Sequence, residues 1–323
     1  MGIINLSFGS VSIPFKEFIY SLLDKKIDDD TLRYIIVNLR LLKTITAILV
    51  GSSLALSGLL MQTLFRNPLA GPFVLGISSG ASLGVAVLIL SAGMFGGTIA
   101  GLASSNLSLV LAASAGAFLV LLAVLMAASK VRNTMSILII GLMFGSFTSA
   151  IISVLAYFSS AEQLQQFMFW SYGSLGNLSW QELGFFFVLY ALGILLILFI
   201  IKPLNSLLLG ENYAKSMGVN FKSTRLITLL ATSILTGVCT AFAGPIAFIG
   251  LAVPHLTRLI ITSSNHKILV PAVAIMGAIL MLISDTIAQL PTSDYTLPLN
   301  AVTTLFGAPI VIWLLVRKRK LIF

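Results

Sequence analysis

The residues that could perform chemistry in this sequence are few and widely separated. His255 and His266 are the two histidines, they lie eleven positions apart, and neither has a carboxylate or thiol at metal-ligand spacing. A structural or catalytic zinc site needs three or four such ligands, so no metal site is predicted. The single cysteine, Cys239, lies in an apolar run and cannot form a disulfide within the chain. Neither a Ser/His nor a paired-Asp signature indicates an intramembrane hydrolase.

Asp285 is the one acidic residue deep in an apolar run, LMLISDTIAQL (Leu280 to Leu290). An acid inside a membrane is by default a functional candidate, and ion-coupled secondary transporters use relays of such groups. An ion-coupled secondary transporter is therefore the alternative function. Because Asp285 lies toward the outer end of its run, a water-exposed or hydrogen-bonded structural carboxylate is an equally good interpretation.

Nucleotide chemistry has no support in the sequence. No Walker A pattern, G-x-x-x-x-G-K-[ST], occurs, so the chain does not bind ATP by that route. The chain is therefore predicted to be neither an enzyme nor the carrier of a cofactor. If ATP drives its activity, another subunit binds and hydrolyses the nucleotide.

The composition predicts an all-α polytopic membrane protein. The 323 residues are 58% hydrophobic and 9% charged, whereas a soluble domain averages about 25% charged residues. A membrane-spanning helix needs about 20 apolar residues. The sequence contains nine such runs, of which the seventh is short: Leu41 to Phe65, Pro72 to Leu90, Leu107 to Ala128, Thr134 to Phe158, Trp180 to Ile201, Leu226 to Ala243, Ile246 to Ile261, Ile268 to Leu290 and Asn300 to Val316.

The positive charges predict the orientation of these spans. The net charge is +9, but its distribution indicates a membrane and not nucleic acid. If residue 1 is outside and the spans alternate, every lysine and arginine from Arg66 onward falls in an inner loop or the C-terminal tail. Cytoplasmic loops carry such an excess, so the C-terminus is predicted to be cytoplasmic.

A polar and basic segment, Leu207 to Arg225, interrupts the apolar runs. Its residues Glu211 to Met217 (ENYAKSM) are good helix formers, and Gly210 and Gly218 flank them as helix ends do. A helix this short cannot span a bilayer, so we expect it to lie at the membrane surface. Such a helix is either a docking surface or part of a solvated loop.

Three segments carry a resemblance to a known family. They are LLLGENYAKSMGV (Leu207 to Val219), GPIAFIGLAVPHLTR (Gly244 to Arg258) and GLLMQTLFRNPLAGPFVLGISSGASLG (Gly58 to Gly84). Together they closely resemble FecCD-type permeases, the membrane subunits of ABC importers for iron-siderophores, haem and vitamin B12, over roughly Asn5 to Lys318. The resemblance implies a homodimer, two ATP-binding subunits on the cytoplasmic side, an external substrate-binding protein, and alternating access in the plasma (inner) membrane.

The resemblance also implies roles for individual residues. The loop 202–225 would couple to the ATPase through Leu209, Gly210, Glu211, Ala214, Lys215 and Gly218. Further positions match the family in the pathway or in helix packing: Asn67, Pro68, Gly76, Gly80, Gly84, Gly244, Pro245, Pro254, His255, Arg258 and Asp285. Gly76, Gly80 and Gly84 recur every four residues, which predicts one closely packed helix face.

The expected docking of the binding protein rests on Arg40 and Lys43. The family has Arg-Leu-Pro-Arg here, and Lys43 keeps the second charge without the bidentate guanidinium. Simple anchoring at the interface is the alternative. The sequence has Gln289 where the family has an arginine, a change predicted to remove a helix partner of Asp285, and Thr296 and Asn300 also depart from the pattern.

The chain is accordingly divided into an external segment, residues 1–40, and a permease domain, residues 41–323. Family members have ten helices, and the opening of this sequence resembles the portion that follows their first helix. The resemblance thus implies that a first helix, with a cytoplasmic N-terminus, is missing upstream. A short amphipathic stretch, Glu162 to Ser174, is predicted to lie at the outer interface.

Overall fold

The computed structural model describes residues 1, 2, 5, 30–91, 105–131, 134–290 and 295–316, and within them all regular secondary structure is helical. This agrees with the predicted all-α class. The helices are α1 (Asp30–Tyr34), α2 (Leu42–Phe65), α3 (Ile77–Leu90), α4 (Asn106–Lys130), α5 (Thr134–Tyr157), α6 (Ala161–Ser171), α7 (Trp180–Leu207), α8 (Glu211–Ser216), α9 (Phe221–Ala243), α10 (Ile249–Ile260), α11 (His266–Ala288) and α12 (Leu299–Val316).

Six helical segments in the described ranges are long and apolar enough to cross a membrane. They are the continuous helix Thr31–Phe65, α4, α5, α7, α9 and α11. The three remaining predicted spans coincide with the shorter apolar helices α3, α10 and α12. The count of nine crossings therefore stays a prediction, and so does the cytoplasmic C-terminus, because residues 317–323 lie outside the described ranges.

The first membrane helix begins earlier than predicted. A continuous helix of 35 residues runs from Thr31 to Phe65, and its stretch Ile35–Leu41 is π-helical. Ile36, five residues before the predicted start at Leu41, is fully buried and packs with Leu32 and Ile35. Residues 6–29, most of the predicted external segment, lie outside the described residues, and the missing upstream helix stays a prediction.

The second predicted span is broken near its start. Pro72–Leu75 forms a 3₁₀ turn, and Gly76, with a φ of 72°, precedes the α-helix that begins at Ile77. The four-residue spacing predicted that Gly76 shares a helix face with Gly80 and Gly84, and this prediction is wrong for Gly76. A Cβ on Gly76 would lie 2.8 Å from the carbonyl oxygen of Gly141, so the close contact is with α5.

Gly80 and Gly84 do form the predicted close-packed face, and it faces α4. A Cβ on Gly80 would lie 2.6 Å from the carbonyl oxygen of Gly116, and a Cβ on Gly84 would lie 2.0 Å from the carbonyl oxygen of Ala112. Lipid tails are as apolar as leucine, so membrane helices associate through close packing of this kind.

Helix α2 is the centre of the bundle, and nearly all of its residues are buried. Glycine pairs allow two neighbours to approach its backbone closely. A Cβ on Gly51 would lie 2.3 Å from the carbonyl oxygen of Gly277 in α11, and one on Gly58 would lie 1.6 Å from that of Gly250 in α10. A larger residue at any of these positions would separate the helices.

The boundaries of the polar segment also differ from the prediction. Helix α7 continues through Pro203 to Leu207, and α9 begins at Phe221, where the Asn220 side chain caps it by accepting from Ser223 N–H at 3.1 Å. The loop between the two membrane helices is thus shorter than the predicted 202–225. A proline is tolerated inside a membrane helix because neighbouring helices, serine or threonine side chains, or water can bond the backbone groups that it frees.

Candidate coupling and docking surfaces

The short predicted helix is present as α8. It covers Glu211–Ser216, it lies between Gly210 with a φ of 110° and Gly218 with a φ of 81°, and Lys215 Nζ lies 2.7 Å from Glu211 Oε1. The helix and its glycine boundaries are as the sequence predicted, and the ion pair joins two of its residues four positions apart. Positive φ values favour glycine, so the two glycines fix the angles at which the chain enters and leaves α8.

Helix α8 exposes large apolar side chains and buries a small one. Leu209, Tyr213 and Met217 are 63%, 53% and 57% exposed. Tyr213 lies in α8, Met217 follows its last residue, and Leu209 comes just before Gly210. We call these three residues the apolar ridge. Ala214 is fully buried, so its part in the predicted coupling set would be to anchor α8 and not to contact a partner. Asn212 and Lys215, both exposed, lie between these residues in the sequence, and such a polar setting is expected outside the hydrocarbon. Exposed apolar clusters with polar rims mark protein interaction sites.

The reversal between α2 and the 3₁₀ turn lies beside α8. Arg66 adopts a left-handed conformation with a φ of 47°, and a Cβ on Gly210 would lie 3.4 Å from Arg66 Nη1. Asn67 Oδ1 accepts from the backbone N–H of Leu69 at 2.9 Å. We call the end of the bundle that carries α8 and this reversal the coupling end.

His255, Pro68 and Arg258 come together at the coupling end. His255 Nε2 lies 2.7 Å from the carbonyl oxygen of Pro68, and Arg258 Nη1 donates to Gln62 Oε1 at 3.1 Å. The same Gln62 side chain donates to the carbonyl oxygen of Leu251 at 3.2 Å. The segment Pro254 to Arg258 of α10 therefore braces the reversal, partly through Gln62, a residue that the sequence did not single out.

Other residues at this end have roles that the sequence did not reveal. Arg225, counted only as an inner cation, is buried, and it donates to the carbonyl oxygens of Ala128 at 2.8 Å and Val131 at 3.2 Å. It therefore satisfies carbonyl groups at the C-terminus of α4, as basic side chains at helix ends do. His266 contacts Thr63 and Asn205.

Asp285 lies near the opposite end, and it is nearly fully buried. Lys43 Nζ lies 2.9 Å from its Oδ1. Its Oδ2 accepts from Asn5 Nδ2 at 2.9 Å and from Gln289 Nε2 at 2.6 Å. Asp285 thus has the contacts of a hydrogen-bonded carboxylate, and a functional role for it stays a prediction.

The expectation that Gln289 deprives Asp285 of a helix partner is wrong. Gln289 lies one helical turn beyond Asp285, as the family's arginine would, and its amide donates a neutral hydrogen bond in place of a charged one. The counter-charge comes from Lys43 on α2. Lys43 was predicted to serve docking, and in this structure its ammonium group is held by an internal carboxylate.

A cavity of about 350 Å³ opens beside this ion pair. Lys43, Asp285 and Gln289 contribute its polar wall, and Tyr172 and Leu297 are among the other lining residues. Lys43 is 26% exposed, so its charge remains accessible from the cavity. The docking role of Arg40 and Lys43 remains a prediction.

Arg40→Glu isolates the docking role better than a change at Lys43, because Lys43→Glu would place two carboxylates together. Exposed ion pairs contribute about 0–1 kcal/mol, and charges at an interface rim act mainly on the association rate. We expect Arg40→Glu to slow association of the binding protein at low salt, with little effect at high salt. Stopped-flow measurements of the association rate at two ionic strengths test this. An association rate for Arg40→Glu that equals the wild-type rate at low salt would contradict the prediction.

The predicted interfacial helix lies near the same end. Helix α6 (Ala161–Ser171) begins with a reciprocal capping box between Ser160 and Gln163. The turn at Gly244, with a φ of 76°, packs against it, because a Cβ there would lie 2.8 Å from Trp170 O. The next residue, Pro245, is half-buried. Asn300 N–H donates to the carbonyl oxygen of Tyr172 at 3.0 Å, and Asn300 Oδ1 accepts from Ala247 N–H at 3.1 Å.

No group of three or more His, Cys, Asp or Glu side chains in the described ranges is placed to hold a metal ion. The contacts at the coupling end connect helices to one another. Helix α8 packs against α7 and α9, and α10 contacts the reversal and the end of α2 through His255 and Arg258. The structure thus brings together the predicted coupling and cytoplasmic-end residues, and it places the predicted docking residues at the other end.

Solved structures define the class of protein to which this fold belongs. A structure described as a metal-chelate type ABC transporter in an inward-facing conformation has a TM-score of 0.81 and 30% identity, covering 98% of this chain and 95% of that one. The complex PsaBC from Streptococcus pneumoniae shares the fold at a TM-score of 0.56 and 16% identity. The fold is that of a transmembrane permease of the ABC transporter class.

The chain belongs to the FecCD transport family, which it matches over residues 1–317. Curated relatives agree. The vitamin B12 import system permease proteins BtuC of Salmonella paratyphi A (strain ATCC 9150 / SARB42) and Salmonella newport (strain SL254) are each 38% identical over 283 residues, which cover 87% of this chain and 83% of theirs. The resemblance stated from three sequence segments is confirmed.

Proposed function

We propose that this chain is the membrane-spanning subunit of an ABC importer that carries an iron chelate, haem or cobalamin-type substrate inward. ATP hydrolysis on a separate subunit drives the transport. The observation that carries the proposal is the exposed apolar ridge of Leu209, Tyr213 and Met217. Tyr213 and Met217 lie between Gly210 and Gly218, the two glycines that fix the ends of α8, and Leu209 comes just before Gly210. Apolar side chains exposed outside the hydrocarbon need a protein partner to bury them.

The proposed assembly contains two copies of this chain, two ATP-binding subunits against the coupling end and a binding protein at the opposite end. Support for this comes from the relatives that are permeases of a vitamin B12 import system and from the likeness to a metal-chelate type ABC transporter. Alternating access would follow if ATP-driven closure displaces α8 and favours one arrangement of the helices over another.

The alternative, an ion-coupled secondary transporter, has less support. It needs a membrane-buried group that is free to take up and release an ion. Asp285 is instead held by an ammonium group at 2.9 Å and by two amide donors. A carboxylate with three such partners is fixed in place by its contacts, which fits a structural group.

The apolar ridge provides the test of the proposal. Tyr213→Asp with Met217→Asp should abolish binding of the ATPase subunit, because two charges would be buried without partners at the contact. Asn212→Asp is the matched control, since residue 212 is also exposed on α8 but lies off the ridge. Co-purification of the co-expressed ATP-binding subunit of the same importer measures the difference. Equal recovery with the double variant and with the control would contradict the proposal.

A further inference from the structure

His266 joins three segments of the chain at the coupling end, and its side chain has no exposed surface. Its Nδ1 lies 2.8 Å from Asn205 Oδ1, and its backbone N–H donates to the same oxygen at 2.8 Å. Its Nε2 lies 2.9 Å from Thr63 Oγ1. One imidazole ring at the start of α11 therefore connects the end of α7 with the end of α2.

The hydrogen bonds assign the protons of this ring. Asn205 Nδ2 donates to Asn265 Oδ1 at 2.9 Å, so the amide oxygen of Asn205 faces His266 as an acceptor. Nδ1 must then carry a hydrogen, and in the neutral ring Nε2 accepts the hydroxyl proton of Thr63. The ring thus donates at one edge and accepts at the other, which fixes its orientation between the two helices.

The contact between His266 and α2 can be released without leaving an unpaired donor on α2. Thr63 Oγ1 also lies 2.9 Å from the carbonyl oxygen of Leu59 in its own helix. A hydroxyl has one proton to donate, so it can serve either His266 or Leu59. If the ring moves away, the hydroxyl turns to Leu59, and no buried donor on α2 is left without a partner. A link of this kind suits a protein that changes conformation repeatedly.

The positions of the partners say what the link connects. Asn205 lies two residues before the end of α7, and α8 begins at Glu211. Thr63 lies in the last turn of α2, just before the reversal at Arg66. A displacement of α8 would therefore move Asn205 directly, and His266 would pass that movement to the central helix of the bundle.

We propose that His266 is a positioning residue that couples movement of α8 to α2, through Asn205 on one side and Thr63 on the other. The proposal rests on the proposed function, since it requires a partner that moves α8. It adds a specific route from the surface helix to the central helix. His255, which lies against the reversal, braces α10 and takes no part in this route.

Thr63→Val tests the link by removing the hydroxyl at nearly constant volume. Thr240→Val is a matched control, because Thr240 is also buried and lies 2.9 Å from the carbonyl oxygen of Thr236 and 3.1 Å from Ser78 Oγ on another helix. Each substitution removes one hydroxyl that contacts its own helix and one neighbour. The measurement is substrate imported per ATP hydrolysed by the complete importer in liposomes.

We expect Thr63→Val and Asn205→Leu each to lower this ratio by about 2- to 30-fold, the range for residues that carry coupling between sites. Thr240→Val should leave the ratio at the wild-type value. The double variant Thr63→Val with Asn205→Leu should be no worse than the more severe single variant, because both break one link. Thr63→Ser keeps the hydroxyl and should retain the wild-type ratio even if the valine variant is poorly folded.

Two results would overturn the inference while the proposed function stands. One is an equal ratio for Thr63→Val and Thr240→Val in a wild-type background that imports substrate. The other is a Thr63→Ser variant as uncoupled as a well-folded Thr63→Val variant, which would show that the hydroxyl is not the cause. If the wild-type complex shows no substrate-stimulated ATP hydrolysis, the proposed function itself fails, and this inference fails with it.

Discussion

Gly218→Val should remove most substrate uptake while leaving expression and membrane insertion close to wild type. Gly218 has a φ of 81° and no atom within 4 Å of the position that a Cβ would occupy. The valine side chain would therefore meet no neighbour, and the whole effect would come from the backbone, at about 1–3 kcal/mol for a non-glycine residue held in a left-handed conformation. The chain would relax by changing the exit angle of α8, which moves the apolar ridge relative to the ATPase.

Gly184→Val is the matched control for that experiment. Gly184 also has no atom within 4 Å of its Cβ position, but it lies in α7 with ordinary helical geometry. Both variants add the same side chain to open space, and only one forces a backbone change. Uptake and substrate-stimulated ATP hydrolysis should fall for Gly218→Val alone. Normal values for both would show that the geometry of α8 is not used in coupling.

The sequence was sufficient to predict α8 because its signals are local. Glycines at both ends, helix formers between them and a Glu211–Lys215 pair four residues apart all act within one short segment. The same locality explains α6, whose capping box lies between Ser160 and Gln163. Apolar runs similarly located the long membrane helices, since hydrophobicity over about 20 residues depends on no distant contact.

The features that the sequence could not predict depend on partners far away in the chain. The exposed face of α8 is defined by the burial of Ala214 against the bundle, and without that contact Tyr213 and Met217 are not distinguishable from lipid-facing residues. The sequence showed His266 only as a histidine without metal-ligand spacing, because its partners Thr63 and Asn205 lie far before it in the chain. Periodicity shows which residues share a helix face, but it does not show which helix that face meets.

Gly76 illustrates how a local pattern can mislead. Its four-residue spacing from Gly80 and Gly84 is that of a helix face, yet Pro72 and Gly76 together produce a 3₁₀ turn and a helix start. The spacing of glycines in a sequence does not show whether any one of them has a positive φ. The close approach that it predicted is real, but the neighbour at Gly76 is α5 and not α4.

Lys43→Met should destabilise the protein by about 2–4 kcal/mol, somewhat below the usual 3–5 kcal/mol for removing one partner of a buried ion pair. Asp285 would remain buried among helices without its counter-charge, and burial strongly disfavours an uncompensated carboxylate. The expected loss is reduced because Asn5 and Gln289 still donate to Oδ2 and because the cavity lets water reach the site. The midpoint of thermal unfolding in detergent should fall by several degrees.

Lys215→Met is the control for that prediction, because it breaks the shorter ion pair on α8, where Lys215 Nζ and Glu211 Oε1 are 2.7 Å apart. Those side chains are 54% and 38% exposed, so water screens the pair and its loss should cost about 0.5 kcal/mol or less. Burial and not distance therefore decides the ranking. The double variant Lys43→Met with Asp285→Asn removes both charges and keeps the hydrogen-bonding shape, so it should recover much of the lost stability. Equal unfolding midpoints for Lys43→Met and Lys215→Met would show that Lys43 does not stabilise Asp285. A double variant that is stable but has lost ATP-driven uptake would show that Asp285 acts in transport.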